Sequence, residues 1–301
     1  MPCWNDILLE LQSTSRPTPN GMMPDYDGIR RKYIRLFSDL RGRNVICYYS
    51  DWLNQNKTKN IDINDSDMSG FMNAVYGLDK TKGLDLILHT PGGYPEATES
   101  IVKYLHKIFG NDIELFVPHL AMSAGTMLSC SCKKIWMGIH SSLGPIDPQF
   151  NGIPAYNIKK EFEDAKKELQ SNPESFRNWQ ILLSKYPQAF YYIVNDAISM
   201  SSRLVKEWLD KYMFLKSSKN KSQKIDKIVS ALNVNTGSHS THFDRDYCKK
   251  IGLHVADLES NASVQDLVLS IFHICQITGA GTPCSKIIEN SLGKSYIAFN
   301  R

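Results

Sequence analysis

The spacing of apolar residues changes along the chain, and the change separates strands from helices. Residues 43–50, Arg-Asn-Val-Ile-Cys-Tyr-Tyr-Ser, form a β-branched and aromatic run that predicts a strand. Residues 66–79 carry helical spacing behind an Asp/Ser start. Leu84–His89 predicts a second strand, which runs into Thr90-Pro91-Gly92-Gly93. From Pro95 to Phe109, residues Ala97, Ile101, Leu105 and Ile108 fall on one helical face. Residues 113–118 predict a strand, Met122-Ser-Ala-Gly-Thr126 opens a helix, and Lys134–Met137 predicts a further strand. Strand and helix therefore alternate with short connections, the pattern of an α/β layered fold with a mainly parallel sheet.

The flanks read differently. Residues 1–40 have amphipathic helical spacing with a polar break at 13–25. After Gly144-Pro-Ile-Asp-Pro148, residues 158–171, 176–186 and 189–214 read as helices, and 216–224 as a polar connector. Residues 230–242 are too polar for a core, 245–251 predict a short helix, and 264–277 a last amphipathic helix. There is no internal repeat and no second set of strand signals. One domain over 1–301 is expected, with its core at about 40–165 and 230–260 and helical decoration over 158–216 and 262–278.

Composition narrows the class without choosing a function. At 42% hydrophobic and 22% charged residues the chain is of ordinary globular make-up, which excludes wholesale disorder, a collagen-like repeat and a small disulfide scaffold. A net charge of +4 gives no case for a nucleic-acid partner. The uncharged runs 115–132 and 267–285 are interrupted by Ser, Thr, Gly, His and Pro, so no integral membrane segment is expected. The first residues, Met-Pro-Cys-Trp-Asn-Asp, lack a secretory signal pattern. The cysteine count of 7 is odd, and Cys130 and Cys132 have no second pair at zinc spacing. Reduced structural thiols in the cytoplasm, with no metal and no cofactor, follow as expectations.

The run 115–132 matters for another reason. Functional groups in open α/β sheets gather at the carboxyl ends of strands. At one such end, Gly92 and Gly93 leave backbone N–H groups uncovered, able to hold an oxyanion or a phosphate. At the next, Ser123 sits at a helix start among small neighbours. It either caps that helix or is a nucleophile, with the Ala124 N–H helping to bind an oxyanion. Spare amides beside a hydroxyl are what acyl-group chemistry needs.

The motifs Leu86-Ile-Leu-His-Thr-Pro-Gly-Gly, Val117-Pro-His-Leu-Ala-Met-Ser-Ala-Gly-Thr and Leu143-Gly-Pro-Ile-Asp-Pro-Gln resemble those of Clp-fold serine proteases. Within these the resemblance is to the serine dehydrogenase (SDH) proteinases, relatives of signal peptide peptidase A and ClpP. It is strongest over residues 40–165 and continues through Trp208–Met213 and Asp246–Leu253. No GxGxxG follows a strand, so the group's name brings no dinucleotide site here. The resemblance implies a ClpP/crotonase-like layered fold with helical additions, a peptide or protein substrate and homo-oligomers. It implies Ser123 as nucleophile, with the oxyanion hole formed at the Gly92-Gly93 turn and Ala124.

The activating group is less uniform among such relatives, which use either Ser-His-Asp or Ser-Lys. Where a ClpP-like histidine is expected, this chain has Asp147; where the aspartate is expected, it has Ser238-His239-Ser-Thr-His242. Exchanged positions still make a triad, because geometry and not chain order defines one. His239 is the expected base and Asp147 its orienter; His140 is the second choice of base, and Lys159 or Lys160 the Ser-Lys alternative. His89 and His119 read as structural. A catalytically inactive Clp-fold binding module and a crotonase-like acyl-thioester enzyme stay open.

Overall fold

The computed structural model of the protein describes residues 4–18, 21–217, 219–233 and 241–300. At its centre is a seven-stranded mixed sheet. Five strands run parallel: β3 (Asn44–Ser50), β4 (Leu84–His89), β5 (Ile113–Val117), β7 (Lys134–Met137) and β12 (Val255–Asp257). β13 (Cys284–Asn290) joins antiparallel to β3, and β14 (Ser295–Phe299) antiparallel to β13, in the order β12-β7-β5-β4-β3-β13-β14. β3, β4 and β5 are buried on both faces, which is why they read as continuous apolar runs.

The strand alternation sorts side chains into two cores. Ile46, Tyr48, Leu86, Leu88, Leu115 and Val117 face one side. There they meet α3 (Asp67–Val75), α4 (Pro95–Phe109), α5 (Ala124–Cys130), the end of α8 (Phe190–Trp208) and α9 (Lys221–Leu232). Val45, Cys47, Tyr49, Ile87 and Phe116 face α2 (Tyr26–Arg41) and α11 (Ala262–Gly281). α1 (Trp4–Ser13) closes over these two helices through Ile7 and Leu11. α6 (Ala155–Ser171) packs on α8 through Ala155, Ile158, Val194 and Ile198, while α7 (Phe176–Leu183) buries none of its residues. A second, three-stranded sheet of β6 (Leu120–Ala121), β8 (Ser142–Leu143) and β11 (Phe243–Asp244) sits at the carboxyl end of the main one.

Several expectations need correction. β13 and β14 lie beyond the expected core boundary of 260, yet β13 is fully buried and pairs with the central strand β3. The polar break at 13–25 holds a hairpin of β1 (Arg16–Thr18) and β2 (Gly21–Met23). The connector at 216–224 already begins α9, whose buried stripe Ile225, Ile228, Val229 and Leu232 was masked by lysines. The long helix expected to Phe214 ends as α-helix at Trp208 and continues as a π-helical turn to Met213. Residues 149–154 form a small hairpin, β9 (Gln149–Phe150) with β10 (Ile153–Pro154), and Arg245–Ile251 is α10, as expected. Cys47, Cys130, Cys132, Cys248, Cys275 and Cys284 are buried free thiols. Among the described residues no helix is long and apolar enough to cross a membrane.

Candidate active site

The site forms where β4 and β6 end side by side. Thr90 donates its N–H to Leu120 (3.0 Å), and Met122 donates its N–H to Thr90 (3.0 Å). This bridge lays the Gly92-Gly93 turn against the turn that starts α5. The fit there excludes side chains. A Cβ on Gly92 (φ +100°) would stand 2.7 Å from both the Met122 carbonyl oxygen and Ser123 Cβ, and 2.9 Å from the Ala124 nitrogen. A Cβ on Gly93 (φ +153°) would overlap the backbone of Ile63. Ile63 donates to the Gly92 carbonyl (2.7 Å) and accepts from the Tyr94 N–H (2.9 Å), so it clamps the turn on both sides of Gly93.

The two glycines differ in their amides. The Gly92 N–H is taken up by Thr90 Oγ1 at 3.1 Å. The Gly93 N–H has no partner among the described residues. Neither has the Ala124 N–H, which belongs to the first turn of α5 and is unsatisfied by helix geometry.

Ser123 stands at φ +50°, ψ −115°, between β6 and α5. A non-glycine residue there carries strain on the order of 1–3 kcal/mol, and such strain gathers at functional turns. Its hydroxyl forms no cap to the helix, and no other hydrogen bond among the described residues. The surroundings hold the turn. Thr126 Oγ1 accepts from the Gly144 N–H (2.9 Å) and lies 2.9 Å from the Ala121 carbonyl oxygen. Gly125 donates its N–H to Met122 (2.7 Å).

Ser123 opens into a cavity of about 440 Å³. Met127, Ile146, Phe150 and Met200 make it apolar, and Asp62 and Glu96 supply carboxylates. Among the described residues, no histidine or lysine lines it. Asp147 is buried between the lining residues Ile146 and Pro148 and accepts from Gln149 Nε2 at 3.0 Å. Burial, and to a lesser degree the nearby Asp147 carboxylate, push the Tyr156 phenol above its usual range.

The remaining candidates separate cleanly. His239 lies outside the described residues. The chain on either side of it is anchored near Asp147: Ile146 donates its N–H to Leu232 (3.1 Å), and Phe243 pairs with Leu143. His140 is solvent-exposed after β7 and does not line the Ser123 cavity. It neighbours His119 and His273, toward α11, where its charge opposes their protonation after burial has lowered both. Lys159 pairs with Glu163 (3.9 Å) along α6, and Lys160 is exposed; neither lines the cavity. The rings of His89 and His119 stack 5.7 Å apart. His89 Nδ1 accepts from the Leu120 N–H (3.3 Å), and burial, reinforced by His119, pushes its pKa down to about 3.

Sequence reading missed the parts that hold the turns: Thr90, Thr126, and Ile63 in its clamp. Thr90 and Thr126 stand inside the quoted motifs, at the head of Thr-Pro-Gly-Gly and the end of Ser-Ala-Gly-Thr, whereas Ile63 left no local signal.

A mixed α/β sheet with a strained serine elbow and spare amides at its carboxyl edge defines a ClpP-like architecture. The chain belongs to the ClpP-like SDH-type serine proteinases, the family whose model matches residues 18–270. It is also 40% identical over 97 residues to Uncharacterized protein MJ0137 of Methanocaldococcus jannaschii, covering 32% of this chain and 34% of that one. To Uncharacterized protein MJ1495 of the same organism it is 39% identical over 77 residues, 25% of each chain. The chain thus matches about a third and a quarter of the length of these two relatives.

Proposed function

We propose that the protein is a serine peptidase that cleaves peptide bonds through a Ser123 acyl-enzyme. The observation that carries this reading is Ser123 itself: a strained residue whose hydroxyl caps nothing, open to a cavity, beside the unpartnered N–H groups of Gly93 and Ala124. In the proposed reaction Ser123 Oγ attacks the scissile carbonyl carbon. The resulting oxyanion accepts from the Gly93 and Ala124 amides, donors that need no reorganisation because Ile63 and α5 already fix them. A base takes the Ser123 proton and returns it to the leaving amine. Water then hydrolyses the ester by the reverse assignment.

His239 is our proposed base and Asp147 its orienter. Phe243, four residues after His239 in the sequence, pairs with Leu143, four residues before Asp147. Burial of Asp147 beside the cavity suits a carboxylate that holds an imidazole. Self-association is part of the reading, supported by the exposed Phe176 and Ile181 of α7, a helix that buries none of its residues.

Hydrolysis of a mixed peptide library tests the assignment. Ser123→Ala and His239→Gln are expected to abolish cleavage, Asp147→Asn to reduce it strongly, and His140→Gln to leave it unchanged. Cleavage that survives Ser123→Ala in a folded protein would overturn the reading.

A further inference from the structure

We infer that a buried ion pair between β13 and α3, Lys286–Asp67, positions the oxyanion turn; the inference rests on the Ser123 reading above. Lys286 lies on β13 and Asp67 opens α3, and both are almost wholly removed from solvent. Their contact is 2.6 Å. Burial lowers the Lys286 pKa, against the pull of Asp67. A buried pair of this kind is seldom a gain in stability over an apolar pair of the same shape, so what else it does is worth asking.

Two paths lead from it to Gly92-Gly93, one of hydrogen bonds and one through the pairing of β3 with β4. In the first, Lys286 Nζ donates to the Asp62 carbonyl oxygen (2.7 Å), and Asp67 Oδ2 accepts from the Asn64 N–H (3.1 Å). Residues on both sides of Ile63 are thereby tied to the pair, and Ile63 is the residue that clamps Gly93. In the second, the Tyr48 hydroxyl donates to Asp67 Oδ2 (2.8 Å), and β3 pairs Tyr48 with Leu88 of β4, two residues before Thr90. Thr90 Oγ1 in turn takes the Gly92 N–H (3.1 Å). With the Gly92 amide held inward, the next amide, that of Gly93, is left as the free donor of the turn. Lys286 and Asp67 touch neither the cavity nor Ser123 in the lining. They are positioning residues, acting through Ile63 and through Tyr48 on the strand beside β4.

The test compares hydrolysis of an activated ester and of the matching thionoester, whose sulfur is a poor acceptor and so reports on the oxyanion donors. Three proteins are needed besides wild type: Ser123→Ala, Tyr48→Phe, and the charge-neutral double variant Lys286→Met/Asp67→Asn. The double variant avoids the unpaired buried charge that either single change would leave. In it kcat for the ester is expected to fall about 10- to 100-fold, short of the 10²–10³ that deleting a donor costs. KM should stay within about threefold, since ground-state binding is untouched, and the preference for ester over thionoester should shrink. Tyr48→Phe, which removes one hydroxyl, should show a smaller change in the same direction. Unchanged kcat and unchanged thionoester preference in a folded double variant or in Tyr48→Phe would overturn the inference. If wild type itself shows no hydrolysis that Ser123→Ala removes, the Ser123 reading has failed instead. Hydrogen exchange then decides on the positioning role alone. Faster exchange of the Ile63 and Tyr94 amides in the variants, with β5 unchanged, supports it; equal exchange overturns it.

Discussion

Ser123 combines a positive φ with a hydroxyl that has no partner among the described residues, and neither is a property of a helix cap. Loss of a true N-cap typically costs about 1 kcal/mol. Ser123→Ala is therefore expected to leave the denaturant midpoint within about 0.5 kcal/mol of wild type, while acyl transfer falls by at least about 10³-fold. A clear loss of stability would mean that the hydroxyl does structural work. Gly93→Ala should behave oppositely, because its Cβ meets the Ile63 backbone at a φ of +153°. It should lower both stability, by about 1–3 kcal/mol, and rate, by about 10²-fold, read by unfolding and by ester hydrolysis. That the turns of Gly92-Gly93 and Ser123-Ala124 lie at strand ends was legible because each local motif follows a strand. Lys286 and Asp67 were not: they are 219 residues apart, and nothing near either one in the chain announces the other.

Among the elements, those with an unbroken period were read closely. β4 and α4 have the bounds expected of them, because an apolar run and a clean helical stripe each admit one solution. β13 was missed because Cys-Ser-Lys-Ile-Ile-Glu-Asn breaks the rule that a fully buried strand is apolar. Its two charges are answered from outside the strand, Lys286 by Asp67 and Glu289 by Arg30 and Arg31. Glu289→Ala would leave the Arg30 guanidinium, fully buried on α2, without its main counter-charge. A loss of about 3–5 kcal/mol is expected from breaking such a pair, measured by urea unfolding. A loss below 1 kcal/mol, about what an exposed pair contributes, would show that β13 is not bound into the core as described.

For the whole molecule, the histidines set the response to acid. Burial lowers the pKa of His89, His106, His119, His254 and His273 below the usual 6.5, His89 to about 3. A histidine whose folded pKa is depressed favours the folded state above its unfolded pKa and loses that contribution as pH falls. Stability should hold between pH 7 and 8 and decline below about 6.5, and thermal unfolding across pH 5–8 reads this directly. A melting temperature that rises on acidification would contradict the burial of these rings. The layered fold itself was legible from strand–helix alternation, whereas the antiparallel edge at β13 and β14 was not, since it rests on pairings with β3 more than 200 residues away.

The proposed activity depends on the Ser123 hydroxyl, and a fluorophosphonate probe reads it most directly. Intact-mass spectrometry followed by peptide mapping should find one adduct on the folded chain, placed on Ser123 and absent from Ser123→Ala. A folded protein that takes no label while a control protease does, or that takes it at another residue, would contradict the assignment.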